Sequence, residues 1–303
     1  MTMQSNSNSD AGMPVADRGG ALRVLYWIAF TCSVILSAVQ TVLYFLYYDE
    51  DAYVYEYGLW QPTVLHISIL AVAVGLFVAG WIVSKRESHL VALAVPDRKI
   101  TFFALLCGFF FAASVLIRII YTASGLEQQT NILRMLSLIA AIPAAAYFLI
   151  MALHAVPPRT LTAVCGFFVV IWAALNTFYQ YFDQTTPHAS PVRQMVYVML
   201  ICVMFFYVLE LRIMLRVARP RRYLAVGFSI MPVLATGSIS NAVMALVGRR
   251  SLGADAVFPF IILCLNCYLF ARMYSVCCGR AAREPAAFAD KSIQNEIPSE
   301  ENK

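Results

Sequence analysis

Of the 303 residues, 61 % are hydrophobic and 13 % charged, where a soluble domain carries roughly 45–50 % and about 25 %. The charges gather in short segments between long apolar stretches, which excludes a soluble core that would scatter them. The net charge of +5 comes from Lys and Arg at the ends of those stretches rather than on a continuous polar face, so nucleic acid is not the implied partner; a lipid bilayer is.

Residues 1–20 are rich in Ser, Asn, Asp and Gly without apolar period and are expected to form a disordered lead. Apolar stretches long enough to cross a bilayer follow at 21–48, 60–83, 100–121, 132–155, 160–182, 194–217, 223–247 and 256–278. The expected fold is therefore all-α: one polytopic transmembrane helix bundle of eight spans over residues 21–278, with short loops and a disordered tail at 279–303. The first stretch exceeds the roughly 7–15 residue core of a signal peptide and lacks a small-x-small cleavage site, so it reads as a retained span. His89–Val95 is apolar but too short to cross, and is expected to lie along the inner interface.

Basic residues orient the spans. Lys85, Arg86, Arg98 and Lys99, then Arg159, then Arg216, Arg219, Arg221 and Arg222, then Arg280, Arg283, Lys291 and Lys303 mark a cytoplasmic side that also holds both termini. The segment Asp49–Leu59 carries Asp49, Glu50, Asp51 and Glu56 and no basic residue, and is expected outside; Arg249 and Arg250 are the one dissent. Around it Tyr44, Tyr47, Tyr48, Tyr53, Tyr55, Tyr57 and Trp60 have the composition of an interfacial aromatic belt. Ala71, Gly75 and Ala79 form a small-xxx-small ridge expected to pack against another helix.

Enzyme signatures are missing. No Asp lies inside a span and no H-E-x-x-H or G-x-S-x-G occurs, so the sequence points away from an enzyme, with no cofactor and no metal set. Cys264 and Cys267 read C-x-x-C within an apolar helix without a second ligand pair, which fits small buried hydrophobes; Cys277 and Cys278 close the last span, where a pair can be palmitoylated.

Polar groups at membrane depth are costly unless paired or facing a cavity. Glu210, roughly 12 Å inside the inner end of its span at about 1.5 Å per residue, and Arg272 at similar depth are expected to form an ion pair. Arg212, Arg216 and Arg219 recur at helical spacing, a stripe able to reach lipid phosphates. Pro232 followed by Thr236, Gly237, Ser238, Ser240 and Asn241 marks where a helix would kink or break; Pro143 raises the same question.

In the outer half, Arg118 shares a face with Ala104, Cys107, Phe111 and Ser114; Arg134 with Ser137 and Ala141; Asn176 with Gly166 and Ala173; Asn241 with Ser238 and Ala245. With Gln40 they are expected to line a polar cavity whose arginines attract a small anionic ligand. The functional expectation is transport of a small, anionic solute across the cell membrane. The alternative is a ligand-sensing or partner-binding subunit that works with another membrane or cytoplasmic subunit, and the third reading is an enzyme on a lipid substrate.

Overall fold

Hydrocarbon offers the backbone no water, so a chain of this composition satisfies its N–H and C=O groups inside helices. A computed structural model describes residues 20–49, 54–55, 60–84, 98–124, 131–153, 159–182, 187, 190–215, 220–248 and 256–278. Among these are eight helices: α1 (Gly20–Tyr47), α2 (Gln61–Val83), α3 (Arg98–Ala123), α4 (Ile132–Leu153), α5 (Arg159–Phe182), α6 (Pro191–Met214), α7 (Pro220–Leu246) and α8 (Phe258–Cys278). All eight are long and apolar enough to span a bilayer, and the chain is a multi-pass integral membrane protein. The expected lead, the tail and the interfacial segment His89–Val95 lie outside the described residues.

The helices alternate in direction. Tyr26 at the start of α1 meets Tyr274 at the end of α8, and Phe111 of α3 stacks on Phe148 of α4. One end of the bundle, the basic end, thus collects the starts of α1, α3, α5 and α7; the other, the hairpin end, carries a two-residue antiparallel ladder pairing Tyr48 with Tyr55 and Asp49 with Val54. That ladder stands where a plain loop is expected. Helices α3 to α8 pack in succession, and α8 returns to α3, closing a circuit. Helices α1 and α2 lie against α7 outside it, with α1 also touching α8. This makes α7 and α8 central: 78 and 72 % of their apolar windows are buried, against 22–44 % for the other six.

Exposed apolar residues cover the outer faces, among them Ile67, Leu70, Phe102, Ile139 and Phe205, each more than 60 % exposed. Such a surface would aggregate in water and is matched to lipid. On α2 the buried stripe is Leu65, Ile69, Ala73, Leu76 and Gly80. The ridge expected from Ala71, Gly75 and Ala79 is therefore misplaced: Ala71 and Gly75 are exposed, and space around Gly75 is open. The close approach to α7 is made instead by Gly80, where an added Cβ would lie 3.1 Å from the Ala225 Cα.

Prolines begin several spans without cost, because the first helical N–H groups have no partner to lose. Pro191 opens α6 and Pro220 opens α7. In the interior, α7 runs unbroken from Pro220 to Leu246 through Pro232, so the expected break is absent there, and α4 likewise continues through Pro143.

Candidate functional site

Two polar regions lie at depth, one nearer each end. In the basic half, Glu210 of α6 is fully buried, and Arg272 of α8 donates from Nε to its Oε1 at 2.6 Å. Tyr223 of α7 donates its hydroxyl to the other carboxylate oxygen, also at 2.6 Å. The structure thus brings Glu210 and Arg272 together, and adds a third helix. Removing both charges from water is expensive, and close contact with a further hydrogen bond offsets part of that cost. Tyr147, Tyr207 and Tyr268, buried on α4, α6 and α8, surround the pair within electrostatic reach of the carboxylate. Their rings pack on one another, with Tyr147 and Tyr207 centroids 6.1 Å apart and Tyr207 and Tyr268 6.2 Å apart.

Close packing at Gly166 holds this centre. A Cβ there would come within 2.5 Å of a Leu211 methyl and 2.9 Å of the Tyr147 ring, so only glycine lets α5 approach α4 and α6 this closely. Cations at the basic end are matched to rings and carbonyls. Lys99 stands 3.9 Å from the Tyr274 ring centre, and Arg221 stands 4.0 Å from the Trp81 ring while donating from Nε to the Trp81 carbonyl at 2.8 Å.

Toward the hairpin half, an aromatic plate of three rings joins α3, α5 and α8. Phe111 of α3, Trp172 of α5 and Phe258 of α8 are in ring contact, with centroids 4.9 and 5.9 Å apart. Arg118 lies two helical turns beyond Phe111 on the same buried stripe and is itself 6 % exposed. Asn176, one turn beyond Trp172, donates to the Trp172 carbonyl at 2.8 Å. Arg134, half-buried on α4, places its guanidinium 4.8 Å from the Tyr179 ring, three residues from Asn176. Asn241 and Phe258 line a seam with Val196, Met199, Ser238, Pro259 and Ile262 that has no room for a water molecule. Arg118 and Asn176 thus follow Phe111 and Trp172 on their own helices, Arg134 meets Tyr179 of α5, and Asn241 sits apart in the closed seam.

Gln40 is held elsewhere. It is fully buried on α1, and its Nε2 donates to the Tyr55 hydroxyl at 2.9 Å. Tyr55 stacks on Tyr44, centroids 5.8 Å apart, and both contact Tyr48. Burial first, and then neighbouring Tyr44, hold the Tyr55 hydroxyl well above the ordinary tyrosine range. Part of the expected belt is thus a packed cap over α1, while Trp60 remains 67 % exposed; Tyr53 and Tyr57 lie outside the described residues.

Beyond Pro232, the buried hydroxyl and amide groups of α7 donate to carbonyls of their own helix. Thr236 donates to the Pro232 carbonyl, Ser238 to Ala235, Ser240 to Thr236 and Asn241 to Gly237. Among the described residues no group of three or more His, Cys, Asp or Glu side chains is placed to hold a metal, and the eight cysteines are free thiols.

Two features escape sequence reasoning. Tyr223 lies near a span end, where tyrosine is read as interfacial, although Tyr207 and Glu210 at i, i+3 and Tyr268 and Arg272 at i, i+4 signal a tyrosine-lined charge pair. Arg193, expected at the edge of a loop, is 3 % exposed inside the first turn of α6. It donates to the Gln180 and Tyr181 carbonyls at the end of α5 and to the Tyr197 hydroxyl, capping a neighbouring helix. No protein-family model matches the chain, and no curated protein or solved structure matches it either, so its geometry alone bears on function.

Proposed function

We propose that the chain transports a small anionic solute across the cell membrane, admitting it at the hairpin end above the aromatic plate. On this reading the basic end faces the cytoplasm, as the distribution of Lys and Arg suggests. The observation that carries it is Arg118, buried two turns beyond Phe111 on α3, together with Asn176 one turn beyond Trp172 on α5 and Arg134 of α4 beside Tyr179. Guanidinium groups held in a region of low dielectric favour a carboxylate or phosphate group. The Asn241 seam is closed here, and Met199, a flexible side chain able to repack, is part of its wall.

Thermal unfolding of the purified full chain with phosphate and a series of small carboxylates tests the reading. An anion that stabilises the wild type, has no effect on Arg118→Gln and still stabilises Arg222→Gln supports it. Stabilisation by none of them, or an undiminished response in Arg118→Gln, overturns it. The closed seam favours a second reading, a ligand-sensing or partner-binding subunit that binds without conducting. Exchange of a labelled, stabilising anion across proteoliposomes separates the two, since only a transporter exchanges it.

A further inference from the structure

A groove of about 450 Å³ opens on the outer face between α5 and α6. Ala163, Phe167 and Phe168 form one wall and Leu211 the other, while Thr160 and Arg212 stand at the basic end. Its sides face the surroundings, with Phe167 53 % and Val164 55 % exposed, and Arg212 is also exposed. Thr160 is the second residue of α5 and Arg212 lies in the last turn of α6, so the polar end belongs at headgroup level. From Thr160 to Phe167 the groove descends roughly 10 Å, at about 1.5 Å per residue.

We propose that this groove is a binding site for one anionic phospholipid. The acyl chain lies along Ala163, Phe167 and Leu211, and the headgroup phosphate meets the Arg212 guanidinium and the Thr160 hydroxyl. Charge complementarity selects this occupant. No acidic residue is among the described residues that line the groove, an arginine stands at its mouth, and α5 begins there with the positive end of its dipole. An apolar partner helix would leave Arg212 unmatched, and a zwitterionic headgroup would bring a second cation beside it.

The site also touches the buried centre. Leu211, a wall of the groove, adjoins Glu210 in the chain and packs at Gly166 beside Tyr147. A chain seated there braces α5 against α6, and so supports the helix that carries Glu210.

Native mass spectrometry of the full chain, released from micelles doped with phosphatidylglycerol or phosphatidylcholine of identical acyl chains, tests the proposal. The wild type should retain phosphatidylglycerol about fivefold better, the ratio given by a single basic residue at an anionic surface. The preference should vanish in Arg212→Gln and persist in Arg222→Gln. Ala163→Trp, or Ala163→Leu should the larger residue prevent folding, fills the groove and should lower retention of both lipids. Equal retention by the wild type, a preference undiminished in Arg212→Gln, or one reduced as much by Arg222→Gln overturns the site, as does full retention in the filled variant.

Discussion

Before and after Pro232, α7 meets its buried polar groups in opposite ways. In the basic half, Tyr223, Glu210 and Arg272 spend their hydrogen bonds on one another and tie three helices together. In the hairpin half, Thr236, Ser238 and Ser240 bond to carbonyls of α7 itself. The first arrangement resists relative motion of α6, α7 and α8. The second adds no such tie at Thr236, Ser238 or Ser240 among the bonds of the described residues, with Pro232 marking the change. Helix α7 is thus tied by a hydrogen bond to α6 near its start and donates within itself beyond its proline.

The largest way to break this comparison is to remove one partner of the anchor. Glu210→Ala leaves Arg272 buried without its carboxylate and should cost about 3–5 kcal/mol. The double variant Glu210→Leu with Arg272→Met should cost clearly less than the sum of Glu210→Leu and Arg272→Met, as measured by denaturant unfolding in micelles. Additive losses would show that the two residues do not act as a unit.

A smaller effect compares packing in the two halves. Gly166→Val drives a side chain into the Tyr147 ring and Leu211 and should cost about 1–3 kcal/mol. Gly237→Val meets Met199 and Met195, whose Cγ atoms would lie 2.9 and 3.0 Å from an added Cβ. Methionines can swing aside, so the melting temperature should fall less than for Gly166→Val. A larger fall at Gly237 would mean that the hairpin half is the rigid one.

The smallest expected change is Ser240→Ala, whose hydroxyl bonds only within the turn below it among the bonds described. Its cost should not exceed about 0.6 kcal/mol, the average for polar contacts between membrane helices. A loss comparable to that of Glu210→Ala would place Ser240 in a helix-to-helix tie.

The spans were legible because about 20 apolar residues in a row have few alternatives, and their ends shift by no more than a turn. Inward stripes on α3, α4, α5 and α7 were legible because a polar residue among small ones at helical spacing marks the protein-facing side. On α2 that signal failed. Without a charged or strongly polar residue, lipid and protein are equally apolar surroundings, and small residues such as Ala71 and Gly75 fit either. Gln40 shows a related limit, since depth along a span says nothing about the direction it faces around the bundle. Arg193 was hidden by its position, because an arginine at a span end is ordinarily read as reaching for the headgroups rather than capping the next helix.

The plate of Phe111, Trp172 and Phe258 has a consequence for electrical insulation. Every elementary charge that slips through a membrane held at about 100 mV dissipates about 2.3 kcal/mol. Three rings drawn from α3, α5 and α8 put apolar surface where those helices meet, and an apolar constriction sheds water and so refuses ions. On the proposed transport reading, a solute crossing there would have to part the rings themselves, one molecule at a time. Transport by that route would proceed at the pace of side-chain and helix rearrangement and would keep the membrane sealed between cycles.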